Sequence, residues 1–207
     1  MSSKIAIIDY GVGNVHSVSC AVSFLGYKNV ITRGHEVIRS ADALILPGVG
    51  DFGQAMTNLK SFDLLDLLNE EVLIKKKPIM GICLGMQIFG NSSEESPSDQ
   101  GLGWIDFNVI KIPASLQLKV PHVGWNTVSV EKEKNLFVKL ETEPHFYFDH
   151  SYYADCPQDF VFARCAYGFG MPAAVVKGNI LGVQFHPEKS QVNGLKLFRN
   201  YFNHLGV

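Results

Sequence analysis

Short unbroken apolar runs alternate with helically spaced apolar residues through the first part of the chain. KIAIIDY (4–10) is a run of the kind shown by a parallel strand buried on both faces. In VHSVSCAVSFLG, Val15, Val18, Ala21, Val22 and Leu25 recur at helical spacing, and Gly26 suits a C-terminal cap. KNVIT (28–32) predicts a second strand, and ADALILPGVGDFG a third that breaks into a glycine-rich loop at Pro47–Gly50. A helical region over 52–76 leads to the strand KPIMGIC and a short helix starting near Leu84. This alternation predicts right-handed crossovers and an α/β fold with a mostly parallel central sheet flanked by helices.

The pattern changes after the polar loop GNSSEESPSDQG (90–101). WIDFNVIKI, NTVSVEK, FYFDHSYY and FVFARCAY are rich in aromatic and β-branched residues and predict an antiparallel or mixed strand region. AAVVKGNILGVQFHPEKS predicts a hairpin turning at Gly178-Asn179, and GLKLFRNYFNHLG a closing amphipathic helix. No repeat, low-complexity tract or linker divides the chain, so one domain over 1–207 is expected.

Composition narrows the class. A chain of 207 residues, with 46% hydrophobic and 18% charged residues, can bury a core without metal or disulfide staples. The formal net charge of −2 gives no electrostatic reason to expect nucleic acid or an anionic membrane surface as partner. The opening MSSKIAIIDYG has no secretory pattern, and no apolar stretch is long enough to span a bilayer. The four cysteines form no CxxC pair, which predicts reduced thiols and a cytoplasmic location.

One of those thiols has an unusual setting. GICLGMQ (81–87) runs an apolar strand straight into Cys83 and opens a helix behind it. Such an elbow is crowded, so small flanking residues are expected, and it exposes a nucleophile beside backbone N–H groups that favour a thiolate. A cysteine nucleophile needs a base that a third group orients. GVQFHPEKS (182–190) offers both, because Pro187 biases His186 towards an extended conformation and residues two apart in an extended chain face the same side. Glu188 can then hold one ring nitrogen of His186 while the other faces Cys83. Alone, HPE reads better as a strand end with a capped turn; beside the cysteine elbow it predicts a Cys-His-Glu triad. LILPGVGDF (44–52) places a Pro-Gly-x-Gly loop at the carboxyl end of a strand, where backbone N–H groups can meet an oxyanion.

In that order, PGVGDF, GICLGMQ and QFHPEKS resemble the class I, triad-type glutamine amidotransferases, over essentially the whole chain. IDYGVGNVHSV (8–18), PHVGWNTV (121–128) and FYFDHSYY (146–153) resemble the glutaminase subunits of imidazole glycerol phosphate synthases within that family. The resemblance implies Cys83 as nucleophile, His186 as general acid/base and Glu188 as its orienting group. It implies oxyanion donors at Leu84 and in the Gly48–Gly50 loop, at Val49 or Gly50. Substrate glutamine would be held by Gly50, Gln87, Glu95 and the backbone around His150, Ser151 and Tyr152. Ammonia would pass, shielded from solvent, to a (β/α)8-barrel synthase (cyclase) subunit in a heterodimer that makes imidazole glycerol phosphate for histidine biosynthesis. The partner-facing surface would include Tyr10, Gly11, Asn14, His122, Trp125, Asn126 and Lys189. No cofactor and no metal are implied.

Two positions depart from the family pattern: Asp149 stands where an apolar residue is expected, and Val123 where methionine is common. They leave open a paralogous glutaminase feeding a synthase that amidinates a nucleotide-linked sugar. A non-enzymatic regulatory module and an elbow-bearing peptidase or esterase are further alternatives, disfavoured by the intact Cys83, His186 and Glu188 and by Gly85-Met86-Gln87 respectively. DYGVGN fails as a dinucleotide fingerprint because His16 occupies the third glycine position. His145, His150 and Cys156 match no structural zinc spacing.

Overall fold

A computed structural model of the chain describes residues 4–206 apart from 115–117, 132–135, 137, 139 and 141–142. Five parallel strands form its centre: β1 (Lys4–Ile8), β2 (Lys28–Thr32), β3 (Ala43–Gly48), β4 (Ile79–Cys83) and β12 (Ile180–Val183). Their order is β2-β1-β3-β4-β12, and the sheet continues antiparallel through β11 (Gly170–Lys177), β10 (Val161–Ala166), β7 (His122–Val130) and β8 (His145–His150). A small second sheet joins β5 (Ser92–Ser93), β6 (Asn108–Lys111) and β9 (Tyr152–Asp155) in the order β5-β6-β9.

The unbroken apolar runs have a direct cause. Ala6, Ile8, Leu44 and Leu46 face one core with α3 (Phe52–Ser61) and α4 (Leu64–Asn69). Ile5, Ile7, Ile45 and Met80 face the other, against α1 (Val15–Phe24) and α6 (Gln191–Leu205). Both faces of β1, β3, β4 and β12 are therefore dry and no polar alternation survives in them, whereas the edge strand β2 stays partly open. The short helices α2 (His35–Ser40) and α5 (Leu84–Gln87) complete the set.

Three local expectations change. The helical region over 52–76 is not continuous: Asp63 adopts a left-handed φ of 54°, which redirects the chain so that Leu64, Leu67 and Leu68 turn inward, and a π-type turn follows at Glu70–Ile74. The run FYFDHSYY is two strands, not one. The chain leaves the large sheet after His150 and enters the small sheet at Tyr152, with the Ser151 carbonyl accepting from Ile112 N–H at 3.0 Å. Finally, strand β12 stops at Val183, so His186 lies beyond it.

Candidate active site

Cys83 ends β4 in a backbone conformation that side-chain-bearing residues rarely hold, φ 53° and ψ −110°. Strain of this kind persists only where the surroundings over-determine it. The flanking glycines do the over-determining by closeness and not by torsion, since neither has a positive φ. A Cβ on Gly85 would overlap the Leu46 carbonyl oxygen of β3, and one on Gly81 would come 2.5 Å from Phe89 Cε2. The unusual torsion sits on the cysteine itself. The glycines thus relieve the crowding expected of the elbow, and the turn itself is taken by Cys83.

His186 is 1% exposed. Its N–H donates to the Tyr147 carbonyl at 2.8 Å, and Ser190 Oγ binds both its carbonyl, at 2.6 Å, and the Tyr147 N–H, at 3.0 Å. The backbone at His186 is thereby fixed to the edge strand β8. Nδ1 lies 2.8 Å from Glu188 Oε1. The reason differs from the extended dipeptide expected: His186 is extended (φ −102°, ψ 95°), but Pro187–Lys189 is a 3-10 turn that curls Glu188 back under the ring. Helix α6 closes over this turn through Gly194, where a Cβ would overlap the Pro187 carbonyl. Nε2 is buried without a conventional hydrogen-bond partner. Burial by itself would depress the imidazolium, yet the Cys83 sulfur and the Glu188 carboxylate more than offset this and push it up to about 10.

A group whose folded pKa exceeds its unfolded value of ~6.5 stabilises the fold in full below that value and loses the contribution as pH rises through the folded pKa. Glu188→Gln weakens the source of the shift. In urea unfolding, the stability advantage of the wild type over this variant is expected to shrink from pH 6 to pH 10; an advantage constant across that window would remove the charge coupling. Turnover should fall by about 10²- to 10⁴-fold, as expected when a catalytic imidazole loses its orienting carboxylate. Unchanged turnover would take Glu188 out of the chemistry.

A cleft of about 270 Å³ opens above Cys83. Val49, Gly50, Cys83, Leu84, Gln87 and Glu95 line one side, and Pro121 with Asp149–Tyr152 the other. Strand pairing sets Gly48 opposite Cys83, so the oxyanion-loop candidates and the elbow share one sheet edge. Glu95 accepts from Phe52 N–H at 2.9 Å, and burial raises its carboxyl above the usual range despite that bond. The Asp149 side belongs to the cleft rim, and its carbonyl is 3.8 Å from Cys83 Sγ. Among the described residues, no group of three His, Cys, Asp or Glu side chains is placed to hold a metal ion.

The structure also brings in a residue that the motifs did not single out. Gln184 is fully buried; its Nε2 donates to Cys83 Sγ at 3.6 Å, and its Oε1 accepts from Gln87 Nε2 at 3.1 Å. Its signal was available: an amide two residues before His186 in an otherwise apolar strand end is costly to bury without a partner.

The proposed partner-facing residues divide. Trp125 is 48% exposed and its ring meets Tyr147 edge-on at 6.1 Å, while Lys189 Nζ sits 5.4 Å over the same Tyr147 ring. Gly11 is exposed, and Asn14 and Asn126 are half-buried, Asn14 accepting from Ser17 N–H at 3.3 Å as the cap of α1. Tyr10 and His122 are corrections. Tyr10 is wholly buried, packed below the oxyanion loop beside Gly48, and His122 is 4% exposed between the rings of Phe148 and Tyr167. Neither side chain can meet a partner directly.

The family model described as glutamine amidotransferase class-I matches residues 6–205. The imidazole glycerol phosphate synthase subunit HisH 2 of Vibrio vulnificus (strain YJ016) is 48% identical over 201 residues, covering 97% of this chain and 94% of that one. Subunit HisH 1 of Campylobacter jejuni (strain RM1221) is 45% identical, covering 95% and 98%. A crystal structure of a glutamine amidotransferase superposes with a TM-score of 0.77 at 19% identity, covering 98% and 99%, and the structure of PurLQS from Thermotoga maritima with 0.75 at 19%, covering 99% and 100%. At such identities these last two show the fold alone.

Proposed function

Because the chain belongs to the class-I glutamine amidotransferases, we propose that it is the glutaminase subunit of an imidazole glycerol phosphate synthase, serving histidine biosynthesis. The observation that carries this reading is near-full-length identity of 45–48% to subunits so named. The cleft supports the chemistry. Cys83 Sγ attacks the side-chain carboxamide carbon of glutamine, and the oxygen takes up the electron pair facing the N–H groups of Leu84 and of Val49 or Gly50. His186 gives its Nε2 proton to the leaving nitrogen, and ammonia departs from the γ-glutamyl thioester. Water, deprotonated by His186, adds to the thioester through a second oxyanion, and glutamate leaves with the thiol restored. Glu188 keeps Nε2 aimed at the sulfur, and Gly50, Gln87, Glu95 and the His150–Tyr152 segment enclose the substrate.

The relatives are named as subunits of a synthase, so a synthase partner is part of the reading. Its finer form is a (β/α)8-barrel cyclase in a heterodimer, receiving ammonia without release to solvent, in the cytoplasm. The docking surface includes Gly11, Asn14, Trp125, Asn126 and Lys189. Among the described residues no helix is long and apolar enough to cross a membrane.

A second reading keeps the chemistry and changes the acceptor to a sugar-amidinating synthase. It is favoured by Asp149, whose residue lines the glutamine cleft where the family pattern expects an apolar side chain. Glutamate release from glutamine, measured for the chain alone and then with each type of barrel synthase and its nucleotide ligand, separates the two. A large rise with the histidine-pathway synthase is expected; a rise only with the other moves the protein to the paralogue. No release under any condition would sink the glutaminase reading.

A further inference from the structure

The His150–Tyr152 wall of the cleft is held in part from outside the cleft. The Tyr152 carbonyl oxygen accepts twice, from Gln87 Nε2 at 2.9 Å and from His150 Nδ1 at 2.8 Å. A carbonyl has no proton to give, so His150 carries its proton on Nδ1 and offers Nε2 as an acceptor. That nitrogen lies 3.2 Å from His122 Nδ1, which therefore donates. His122 Nε2 in turn accepts, with Asn126 Nδ2 3.4 Å away. A single direction of donation, Asn126 to His122 to His150 to Tyr152, satisfies every group. It requires both rings to be neutral, and burial holds them so, lowering His122 to about 4 and His150 to about 3.

Two buried imidazoles are an expensive way to fill space, since each must be desolvated and matched in tautomer. Apolar rings already surround them: His122 lies 3.9 Å from Tyr167 and 4.7 Å from Phe148, centroid to centroid. The ladder ends on the cleft wall. Through Gln87 and Gln184 the same Tyr152 carbonyl is tied on to the Cys83 sulfur.

We infer that His122 is a positioning residue for the glutamine pocket: it donates to His150, and His150 together with Gln87 clamps the Tyr152 carbonyl so that the Ser151–Tyr152 backbone meets the substrate in one orientation. This rests on the glutaminase reading above, and it gives buried His122 a task within the fold in place of the surface contact expected from the sequence.

The test compares His122→Phe with His122→Asn in the complete chain with its synthase bound. Phenylalanine keeps a ring between Tyr167 and Phe148 but leaves His150 without a donor; asparagine returns an amide N–H near the place of Nδ1. The phenylalanine variant should raise KM for glutamine about tenfold, the size of one buried hydrogen bond, with kcat changed less than about threefold, and asparagine should recover most of the loss. An unchanged KM, or a fall in kcat with KM untouched, overturns the inference. Long-range 1H–15N spectra of the histidine-labelled wild type should show His122 and His150 both as Nδ1–H tautomers at pH 7. An Nε2–H tautomer or an imidazolium at either position overturns it without recourse to activity. A wild type that releases no glutamate even with its partner would instead fail the glutaminase reading, while the tautomers would still report on the ladder.

Discussion

Cys83→Ala should abolish glutamine-dependent synthesis in the assembled enzyme, by about 10⁴-fold or more, while synthesis from added ammonium salt continues at close to the wild-type rate. The first half follows because Cys83 is the one thiol in the cleft lining, and the hydroxyls there, on Ser151 and Tyr152, belong to the opposite wall, away from the elbow that carries the sulfur. Removing a covalent nucleophile costs nearly the whole of the chemical acceleration, because the base and the oxyanion donors have nothing left to act with. The second half follows because Cys83 contributes only a small volume to the core. Its replacement by alanine removes one sulfur from a site already open to the cleft, so the fold and the partner surface remain. Glutamate and product formation, each assayed with glutamine and with ammonium, check both halves. Residual glutamine-dependent turnover above about 1% of the wild type would mean that the nucleophile is elsewhere. Loss of the ammonium-dependent reaction would mean that Cys83 matters to assembly.

Gly85→Ala is expected to be among the most damaging of the single-methyl changes near the site, with Gly194→Ala. The new Cβ would overlap the Leu46 carbonyl oxygen, which belongs to the backbone of a central strand and cannot rotate aside. Overpacking ordinarily costs about 1–3 kcal/mol, and a clash with immobile backbone should reach ~3 kcal/mol or more. For a chain of this size that is a drop in Tm of about 6–12 °C, read by thermal unfolding. Activity should fall further than stability does, since relief of the clash must move either β3, which carries Gly48, or the elbow that carries Cys83. A variant with wild-type Tm and turnover would show that α5 can shift freely, and the close-approach account of the Gly-x-Cys-x-Gly sequence would fail.

Much of the fold was legible because burial on both faces leaves a plain mark. KIAIIDY, LILPG and KPIMGIC are nearly unbroken apolar runs, and each is a central parallel strand whose two sides meet different helices. The hairpin at Gly178-Asn179 was readable from turn chemistry and the last helix from its amphipathic spacing; the left-handed Gly206 that ends it emerged from the structure. The break at Asp63 was not, because a left-handed residue that is not glycine leaves no compositional mark; only the need to turn Leu64, Leu67 and Leu68 onto the core explains it. Nor was the division of FYFDHSYY, where two runs of equal β propensity belong to different sheets.

For the site, local order along the chain determined the chemical candidates: a cysteine at a strand–helix elbow, a His-Pro-Glu beyond another strand, and a glycine loop at a third strand end. Each is a short-range pattern, set by what neighbouring residues do to one another's backbone. Tertiary structure alone decided how they are used. It seated Gly48 opposite Cys83, curled Glu188 under His186 by a 3-10 turn, and drew Gln184 to the sulfur. It also buried Tyr10 and His122, which the family resemblance had implied for the partner-facing surface. The physical reason is the same in each case. Whether a polar group is exposed, paired or aimed at a neighbour depends on residues up to a hundred positions away, such as Cys83 and Gln184, and no local pattern contains that separation.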